Sequence, residues 1–345
     1  MQNALKQVMS PDPSPNSISM PKVSVIVPTY GREQVLCTSI EDVLAQDYPD
    51  FEVIVVDQTP QHLPETETQL AQWADGGKIQ WHRLRWASLP GARNFAARRS
   101  SGEILIFIDD DVRLEPGFIA AHVANYADPQ IGAVAGRVFD RMKLEQDCTK
   151  HVGEFAYQVP EASDPAIAWY HIDLVRATQP QPVITARGCN MSFRRSLFDR
   201  GLRFDERYGG SAVREESDFC LSLRKTGLKI WYDPAAHLIH LGEESGGCHD
   251  ISTRSIGYQT TFYHNHFWLG FKHLTLGQQL RFFSKLFDCH VLGHPPCYKS
   301  GSPLKVLVRF CCYGMGLARA ISTAAIGLWD DGQIYSRQDS QFKQP

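Results

Sequence analysis

The sequence predicts an α/β fold, in which helices flank a mostly parallel sheet. Three short apolar runs, at 23–28, 51–56 and 104–108, have the composition of strands that are buried on both faces. Apolar residues recur at helical spacing between these runs, over 32–46 and 91–99. Alternation of strand and helix at these distances is typical of right-handed βαβ units, so the runs are expected to lie in one sheet.

The predicted elements follow one another in a regular order. The first strand ends at Pro28-Thr29-Tyr30-Gly31, and the helix after it ends before Tyr48-Pro49, because proline cannot continue a helix. The second strand ends at Asp57, and residues 79–84 can form a third. The fourth strand ends at the acidic run Asp109-Asp110-Asp111. This half of the chain therefore has the organisation of an α/β nucleotide-binding domain.

Acidic residues follow two of the predicted strands. In open α/β sheets a ligand binds in the crevice beyond the carboxyl ends of the strands, which is where Asp57 and Asp109 are expected to lie. Three adjacent carboxylates repel one another unless a positive charge lies among them. Mg²⁺ and Mn²⁺ prefer oxygen ligands and often complete their coordination with phosphate oxygens. The acidic run therefore indicates either a divalent cation site or, more simply, a solvated or helix-capping turn.

A second group of acids lies further along the chain. Residues 148–182 are expected to be partly irregular, and ordered structure returns at 183–193. Glu215, Glu216 and Asp218 then open an apolar helix. Acids at this position either stabilise the first turn of the helix or supply a general base, and the pattern leaves both interpretations open.

Two further positions have the chemistry of a ligand site. Arg93 precedes the fourth strand, and its guanidinium can bind a phosphate or form a surface ion pair. His240 follows a short strand predicted at 229–233. A lone histidine is often structural, but beside an acidic metal site it can be a ligand.

The two ends of the chain differ in composition from its central part. Residues 1–20 lack the apolar run of a signal peptide and are expected to be a disordered tail before a domain over 21–250. Residues 251–345 are expected to form a helical extension in which aromatic and basic residues interleave. Its helices either pack on the domain or lie on a membrane surface. No stretch of about 18 residues is apolar enough to predict a membrane-spanning helix.

Composition and missing motifs exclude several classes of protein. Of the 345 residues 43% are apolar, which excludes a mainly disordered chain. The formal net charge is −3, so no nucleic-acid partner is expected. Nine cysteines without a C-x-x-C pair indicate reduced thiols in a cytoplasmic protein. No G-x-G-x-x-G or P-loop motif follows a strand, which disfavours dehydrogenases and P-loop proteins.

Six segments of the sequence carry a family signature. They are VSVIVPTYGR (23–32), EVIVVDQTP (52–60), PGARNFAARRSSGEILIFIDDDV (90–112), RGCNMSFRRSLF (187–198), FDERYGG (204–210) and REESDFCLSLRKTG (214–227). Taken together and in this order, over about residues 21–247, they resemble family 2 glycosyltransferases. The resemblance implies the GT-A fold, with a Rossmann-like nucleotide-binding half and a mostly parallel mixed sheet, here followed by a C-terminal helical extension.

The resemblance implies that the protein is an inverting glycosyltransferase of the hexosyltransferase class. Such an enzyme moves a sugar from a nucleotide-diphospho-sugar to an acceptor hydroxyl on a glycan, a polysaccharide or a lipid-linked sugar, and it uses Mg²⁺ or Mn²⁺. The alternative is a nucleotide-sugar-binding or nucleotidyltransferase-like protein that uses the same sheet without glycosyl transfer. Peripheral contact with the inner face of the membrane is the alternative to packing for the C-terminal extension, and the sequence does not indicate an oligomeric state.

The resemblance also implies roles for individual residues. Asp109 and Asp111 match the acids of the family's Asp-x-Asp motif, and His240 matches a histidine near the metal and diphosphate. These three residues are the expected metal ligands. The residues expected to bind the nucleotide-sugar are Pro28, Thr29, Tyr30, Arg32, Asp57, Arg93, Asp109, Asp110, Gly188 and Asn190.

The expected base and one nucleotide-binding loop depart from the family pattern. Glu216 matches the second member of a Glu-Asp pair whose aspartate is the family's base, and glutamate is one methylene longer but chemically suitable. Glu215 and Asp218 remain alternative bases. After Asp57 the family usually has Asp, then Gly or Asn, then Ser, whereas this chain has Gln58-Thr59-Pro60. The nucleotide contacts are therefore expected to differ.

Overall fold

The computed structural model describes residues 20–140, 178–243, 255–294 and 302–330. Within these ranges nine strands form one mixed sheet. The strands are β1 (Val23–Thr29), β2 (Phe51–Asp57), β3 (Gln80–Arg83), β4 (Ile104–Ile108), β5 (Val112–Leu114), β6 (Ile131–Asp140), β7 (Gln181–Val183), β8 (Asn190–Arg194) and β9 (Lys229–His240). The helices are α1 (Gln34–Leu44), α2 (Pro64–Asp75), α3 (Leu89–Arg99), α4 (Phe118–Ala124), α5 (Arg195–Asp199), α6 (Glu215–Arg224), α7 (Ile256–His273), α8 (Leu276–Leu286) and α9 (Pro303–Asp330), with a 3₁₀ turn at Asn125–Ala127 and a π-helix at Phe287–Leu292.

The predicted α/β fold is confirmed. The strand order is β3-β2-β1-β4-β8-β6-β9-β5, with β7 beside β9. β1 to β4 run parallel to one another, so their carboxyl ends meet at one edge of the sheet. Every residue of β1 and β4 is buried, because α1, α2 and α4 pack on one face and α3, α5 and α6 on the other. This edge carries the acids that end β2 and β4.

Three strands differ from the prediction, and one of them, β6, was not predicted at all. β9 continues to His240 instead of ending at Asp233, because β6 pairs with it beyond an irregularity at which the pairing shifts from Asp233 to His237. β5 was not predicted, since three residues are too few to show a period. β5 pairs antiparallel with the end of β9, with Val112 opposite His240. These two strands bring His240 next to the acidic turn.

The described part of the C-terminal extension is helical, as predicted. Helix α7 contacts the sheet domain, with Lys272 Nζ lying 2.6 Å from Asp218 Oδ1 of α6. Helix α9 packs closely on α7 because Gly316 places no side chain between them. A Cβ atom at this position would lie 2.6 Å from the Cβ of Tyr263. The extension is therefore packed on the domain through α7 and does not stand apart from it.

Some predictions fall on residues outside the described ranges. The predicted tail at 1–20 lies outside them apart from residue 20, and so do the domain boundary at 250 and most of the irregular segment 148–182. The division into domains and the contact with a membrane stay predictions. Among the helices that the structure describes, none has the length and hydropathy needed to cross a membrane.

Candidate active site

The acidic run forms the turn between β4 and β5 at the carboxyl edge of the sheet. Ser39 of α1 forms two hydrogen bonds with the backbone of this turn. Its Oγ accepts from Val112 N at 3.0 Å and donates to Asp110 O at 3.0 Å. Leu241 N donates to Asp111 O at 2.8 Å, which ties the end of β9 to the same turn. The backbone of the acidic run is thus held from two sides.

The three predicted metal ligands come together at this turn. His240 Nε2 lies 3.3 Å from Asp111 Oδ1 and 3.9 Å from Asp109 Oδ2. One potential ligand atom from each of the three residues lies within 4.8 Å of the others. Two carboxylates and an imidazole are a donor set that suits a divalent cation such as Mn²⁺. The residues present therefore fit the cation that the sequence predicts.

Arg32 offsets part of the negative charge of the turn. Its Nη2 lies 3.0 Å from Asp111 Oδ2, and its Nε lies 3.4 Å from Asp110 Oδ1. Burial raises the pKa of Asp111, but the hydrogen bond to His240 and the charges of His240 and Arg32 outweigh burial and hold this pKa below its usual value. Asp111 is therefore charged at neutral pH. Arg32, predicted to bind the nucleotide-sugar, here contacts the acids themselves.

Asp110 differs from Asp109 and Asp111 in the contacts of its carboxylate. Burial, together with the charges of Asp111 and Asp109, raises the pKa of Asp110 to about 7. Its carboxylate faces Arg32 and is not among the atoms grouped around His240. The structure thus separates Asp110 from the two acids of the predicted Asp-x-Asp motif.

A pocket of about 350 Å³ opens beside the acidic turn. This volume is within the range of small-molecule sites in proteins. The pocket brings together six of the residues that the sequence predicted as site residues, while the others lie elsewhere. Its lining is formed by Leu89, Arg93, Asp109, Arg187, Gly188, Cys189, Ser211, Ala212, Val213, Glu215, Glu216, His240, Tyr258 and Phe262.

The three candidate bases on α6 have different surroundings. Glu215 is buried and forms an ion pair with Arg93. Asp218 is buried away from the pocket lining and pairs with Lys272 and His273, whose Nε2 lies 2.8 Å from its Oδ1. Glu216 lines the pocket and is half-buried, and no ion pair of Glu216 is found within the described ranges. Of the three carboxylates, that of Glu216 is the one available to a ligand in the pocket.

The loop before α6 is strained and is held by the C-terminal helices. Ala212 and Arg214 adopt left-handed backbone conformations, with φ of 52° and 79°, which cost non-glycine residues about 1–3 kcal/mol each. Arg214 Nε donates to His266 Nε2 of α7 at 3.1 Å, and His266 Nδ1 donates to Phe262 O at 2.8 Å. Burial holds the pKa of His266 well below its usual value, so the ring is neutral and its Nε2 can accept. Helix α7 therefore helps to position Glu216.

Arg93 joins the two groups of acids from the base of the pocket. Besides its ion pair with Glu215, its Nη2 lies 3.7 Å from Asp109 Oδ1 and donates to Gly188 O at 2.9 Å. A Cβ atom at Gly188 would lie 3.0 Å from this Nη2, so the guanidinium requires glycine there or must move. Arg93 is 1% exposed, and its charge is therefore poorly screened by solvent.

The predicted nucleotide-binding residues Pro28, Thr29 and Tyr30 lie at the end of β1, beside Asp57 at the end of β2. Asp57 is fully buried and accepts hydrogen bonds from His62 Nε2 at 2.9 Å and Trp81 Nε1 at 3.1 Å. Tyr30 is half exposed. None of these residues lines the 350 Å³ pocket, although they lie at the same edge of the sheet.

Asn190 is placed in the interior and not in the pocket. Its Oδ1 bonds to His122 Nε2 at 2.9 Å, and its Nδ2 donates to Arg137 O and Ala236 O, each at 2.9 Å. The side chain is fully buried between strands and all its polar atoms are used. The neighbouring Gly188 does reach the pocket, so the predicted loop is only partly at the site.

Four pocket residues with a charged, hydroxyl-bearing or aromatic side chain were not predicted as site residues. They are Arg187, Ser211, Tyr258 and Phe262. Tyr258 and Phe262 are four residues apart and so lie on one face of α7. In the sequence they belong to a helix rich in aromatic residues, which has the pattern of an ordinary core helix, so no local signal marks them.

Arg93→Ala is expected to lower the free energy of unfolding by about 3–5 kcal/mol, because it leaves the Glu215 carboxylate buried without its ion-pair partner. Urea unfolding followed by circular dichroism measures this change. Arg98→Ala removes an exposed arginine from the same helix and is expected to cost at most about 0.5 kcal/mol. The double variant Arg93→Met/Glu215→Leu removes both charges and is expected to recover most of the loss. An Arg93→Ala variant as stable as Arg98→Ala contradicts the prediction.

Known proteins resemble this chain over much of its length. The profile of the family described as Glycosyl transferase family 2 matches residues 24–202. The O-antigen biosynthesis protein RfbC of Myxococcus xanthus is 27% identical over 293 residues, which cover 80% of this chain and 21% of that protein. The glucosyl-dolichyl phosphate glucuronosyltransferase of Haloferax volcanii is 26% identical over 238 residues, which cover 64% of this chain and 69% of that protein. This chain therefore spans about a fifth of RfbC, and a larger share of the second relative.

A solved structure has a similar fold. The structure of GalNAc-T7 with UDP, GalNAc and Mn²⁺ matches with a TM-score of 0.53 and 14% sequence identity, over 85% of this chain and 55% of that chain. At this identity the likeness concerns the fold alone, and it agrees with the GT-A architecture expected from the sequence. The family profile matches more than half of the chain, which confirms the prediction from the six segments: the chain belongs to glycosyl transferase family 2.

Proposed function

We propose that the protein is a metal-dependent, inverting glycosyltransferase. It moves a sugar from a nucleotide-diphospho-sugar to an acceptor hydroxyl. The observation that carries this proposal is a single pocket whose lining joins Asp109 and His240 of the metal-ligand group to the carboxylate of Glu216. One wall thus has the groups that bind a diphosphate through a cation, and another has a group that can accept a proton.

Asp109, Asp111 and His240 would hold the divalent cation. A bound Mg²⁺ or Mn²⁺ supplies a Lewis acid that stabilises the negative charge on the departing nucleoside diphosphate. Asp111 is already charged, because His240 and Arg32 lower its pKa. The GalNAc-T7 structure holds UDP together with Mn²⁺, which supports the same pairing of ligands on this fold.

Arg93 and the ends of β1 and β2 would bind the donor. The Arg93 guanidinium lies beside Asp109 at the base of the pocket, where it can attract a diphosphate or the donor sugar. Pro28, Thr29 and Tyr30 would contact the base of the nucleotide, and Asp57, held by His62 and Trp81, would orient the base or ribose. Gly188 gives the sugar close access to the backbone of the pocket wall.

Glu216 would act as the general base. Its carboxylate takes the proton of the acceptor hydroxyl, which must come within about 2.6–3.2 Å of it. The acceptor oxygen then attacks the anomeric carbon of the donor, and the bond to the diphosphate breaks on the opposite side. One displacement inverts the anomeric centre without a covalent enzyme intermediate. Glu215 and Asp218 are less suited to this step, because each is held in a buried ion pair.

The acceptor would be a saccharide or a lipid-linked saccharide. The names of the two relatives support this class, one as an O-antigen biosynthesis protein and the other as a transferase acting on glucosyl-dolichyl phosphate. A cytoplasmic location is part of the same proposal. The six cysteines in the described ranges are free thiols, as is usual in a reducing compartment.

A nucleotide panel followed by product analysis tests this function. UDP, GDP, TDP and CDP are each added with and without Mn²⁺, and the unfolding temperature is measured. One nucleotide is expected to stabilise the fold in the presence of Mn²⁺ only, by about 2.7 kcal/mol at a hundred times its dissociation constant. The matching nucleotide-sugar is then incubated with saccharide acceptors, and NMR of the product is expected to show an inverted anomeric configuration. Retention, or pyrophosphate release from a nucleoside triphosphate, contradicts the proposal.

A further inference from the structure

The outward face of α9 is apolar over nearly the whole helix. Six large apolar side chains on this face are between 44% and 71% exposed. Their spacing of three to six residues keeps them on one side, and Gly314, Ala318 and Ala325, also exposed, lie between them. We refer to these six residues as the apolar stripe. They are Leu304, Leu307, Phe310, Met315, Ile321 and Ile326.

The opposite face of α9 already has its partner. Cys312, Gly316 and Ala320 are buried, and Gly316 lies against Tyr263 of α7. On the stripe itself, Phe310 touches Phe287 of the π-helix but remains 54% exposed. The helix thus has one face packed on the protein, to which Tyr313 and Leu317 also contribute, and a second face of large apolar residues that little else in the described ranges covers. Large contiguous apolar surfaces of this kind mark interaction sites.

The charge of this part of the chain identifies the partner. Residues 256–330 contain seven lysines and arginines, two aspartates and no glutamate. The remainder of the chain has 28 basic and 36 acidic residues, so a positive segment is joined to a negative protein. Lys305 is exposed in the first turn of α9, next to Leu304, whereas Arg309 is buried and Arg319 Nη1 donates to Thr261 Oγ1 of α7 at 2.8 Å, so these two arginines do not belong to the outward face. A surface that is both apolar and basic is complementary to anionic lipid.

Helix α8 repeats the same combination. Leu276 and Leu280 are 74% and 65% exposed, and Arg281 and Lys285 border a groove of about 530 Å³ that also contains Leu280. The groove therefore offers the apolar side chain of Leu280 and two cationic side chains, together with one carboxylate, Asp288, whose Oδ2 lies 3.7 Å from Lys285 Nζ. This is the chemistry that a phosphate headgroup and the first part of its acyl chain require.

We propose that the apolar stripe of α9, with the basic groove of α8, binds the surface of an anionic lipid bilayer. Helix α9 lies along the membrane, because its other face is packed on α7. The 22 residue steps from Leu304 to Ile326 extend over about 33 Å. A second copy of the chain is the other obvious occupant, but a two-fold contact would bring the positive segment against itself. Binding of the membrane does not depend on the proposed transfer reaction.

Vesicle flotation without nucleotide tests this surface. The full chain is mixed with phosphatidylcholine vesicles that either contain or lack phosphatidylglycerol. It is expected to float with the anionic vesicles and to remain mostly unbound with the neutral ones. Leu307→Ser/Ile321→Ser is expected to lower the bound fraction at least about tenfold, because it removes two large apolar side chains from the stripe. Lys305→Glu keeps the stripe and is expected to weaken binding to anionic vesicles by about fivefold or more.

Leu63→Ser is the matched control, because Leu63 and Leu307 are each 57% exposed and Leu63 lies before α2, outside the stripe. It is expected to float like the unmodified chain. Thermal unfolding verifies that each variant is folded. The proposal is overturned if the unmodified chain does not float with anionic vesicles, or if the stripe variant and Leu63→Ser float equally. It is also overturned if light scattering shows a dimer that Leu307→Ser dissociates while no chain binds vesicles.

Discussion

Glu216→Gln is expected to lose most of its turnover and to keep its affinity for the donor. The amide has nearly the same shape as the carboxylate but cannot accept the proton of the acceptor hydroxyl. General base catalysis contributes about 10²–10⁴-fold, so kcat is expected to fall by that factor. Release of the nucleoside diphosphate measures kcat, and the metal-dependent thermal shift measures binding of the nucleotide. Turnover like that of the unmodified chain would remove Glu216 as the base.

Two further variants separate a chemical effect from a structural one. Glu65→Gln changes an exposed glutamate on α2 and is expected to leave both kcat and stability unchanged. Glu215→Gln leaves the buried Arg93 guanidinium without its charged partner, so it is expected to lower the free energy of unfolding as well as turnover. Loss of stability in Glu216→Gln itself would indicate that Glu216 supports the fold and not the reaction.

Asp111→Ala is expected to abolish the metal-dependent stabilisation by nucleotide. Asp111 has an oxygen 3.3 Å from His240 Nε2 and is the more buried of the two acids in the metal-ligand group. Without Asp111, one carboxylate and one imidazole remain in the metal-ligand group. The Arg32 guanidinium also loses the Asp111 carboxylate that lies 3.0 Å from it, so its positive charge repels the cation. The stabilisation of about 2.7 kcal/mol expected at a hundred times the dissociation constant is then lost.

The panel used for the unmodified chain measures this loss, with the best nucleotide and increasing Mn²⁺. Asp111→Asn keeps the size of the side chain and one oxygen, so it is expected to retain a weaker response to Mn²⁺ than the unmodified chain. Asp75→Asn, on the exposed end of α2, is the control and is expected to respond normally. A full Mn²⁺ response in Asp111→Ala would show that the cation is held elsewhere.

Much of the fold could be predicted from local sequence because burial on both faces leaves a direct mark on composition. β1, β2 and β4 are short apolar runs in the sequence and buried parallel strands in the structure. Their order and their terminal acids then place Asp57 and Asp109 at the same edge without any knowledge of distant contacts. Strands β5 and β6 and the extension of β9 were missed, since all three depend on partners far along the chain.

The sequence could not show which of several neighbouring candidate side chains lies at the site. Glu215, Glu216 and Asp218 have the same chemistry within four positions, and their distant partners distinguish them. Arg93 lies 122 positions before Glu215, and Lys272 lies 54 positions after Asp218. Asn190 was expected in the site, but the pairing of β8 with its neighbours turns the side chain into the interior.

The sequence by itself determined the α/β class, the family and the chemical types at the carboxyl edge of the sheet. These follow from local composition and from the order of short segments along the chain. Only the tertiary structure decided that Glu216, of the three candidate bases, is the one that lines the pocket without an ion-pair partner in the described ranges, and that α7 forms part of the pocket wall. The physical reason is that burial, ion pairing and access to a pocket are set by contacts between residues that are far apart in sequence.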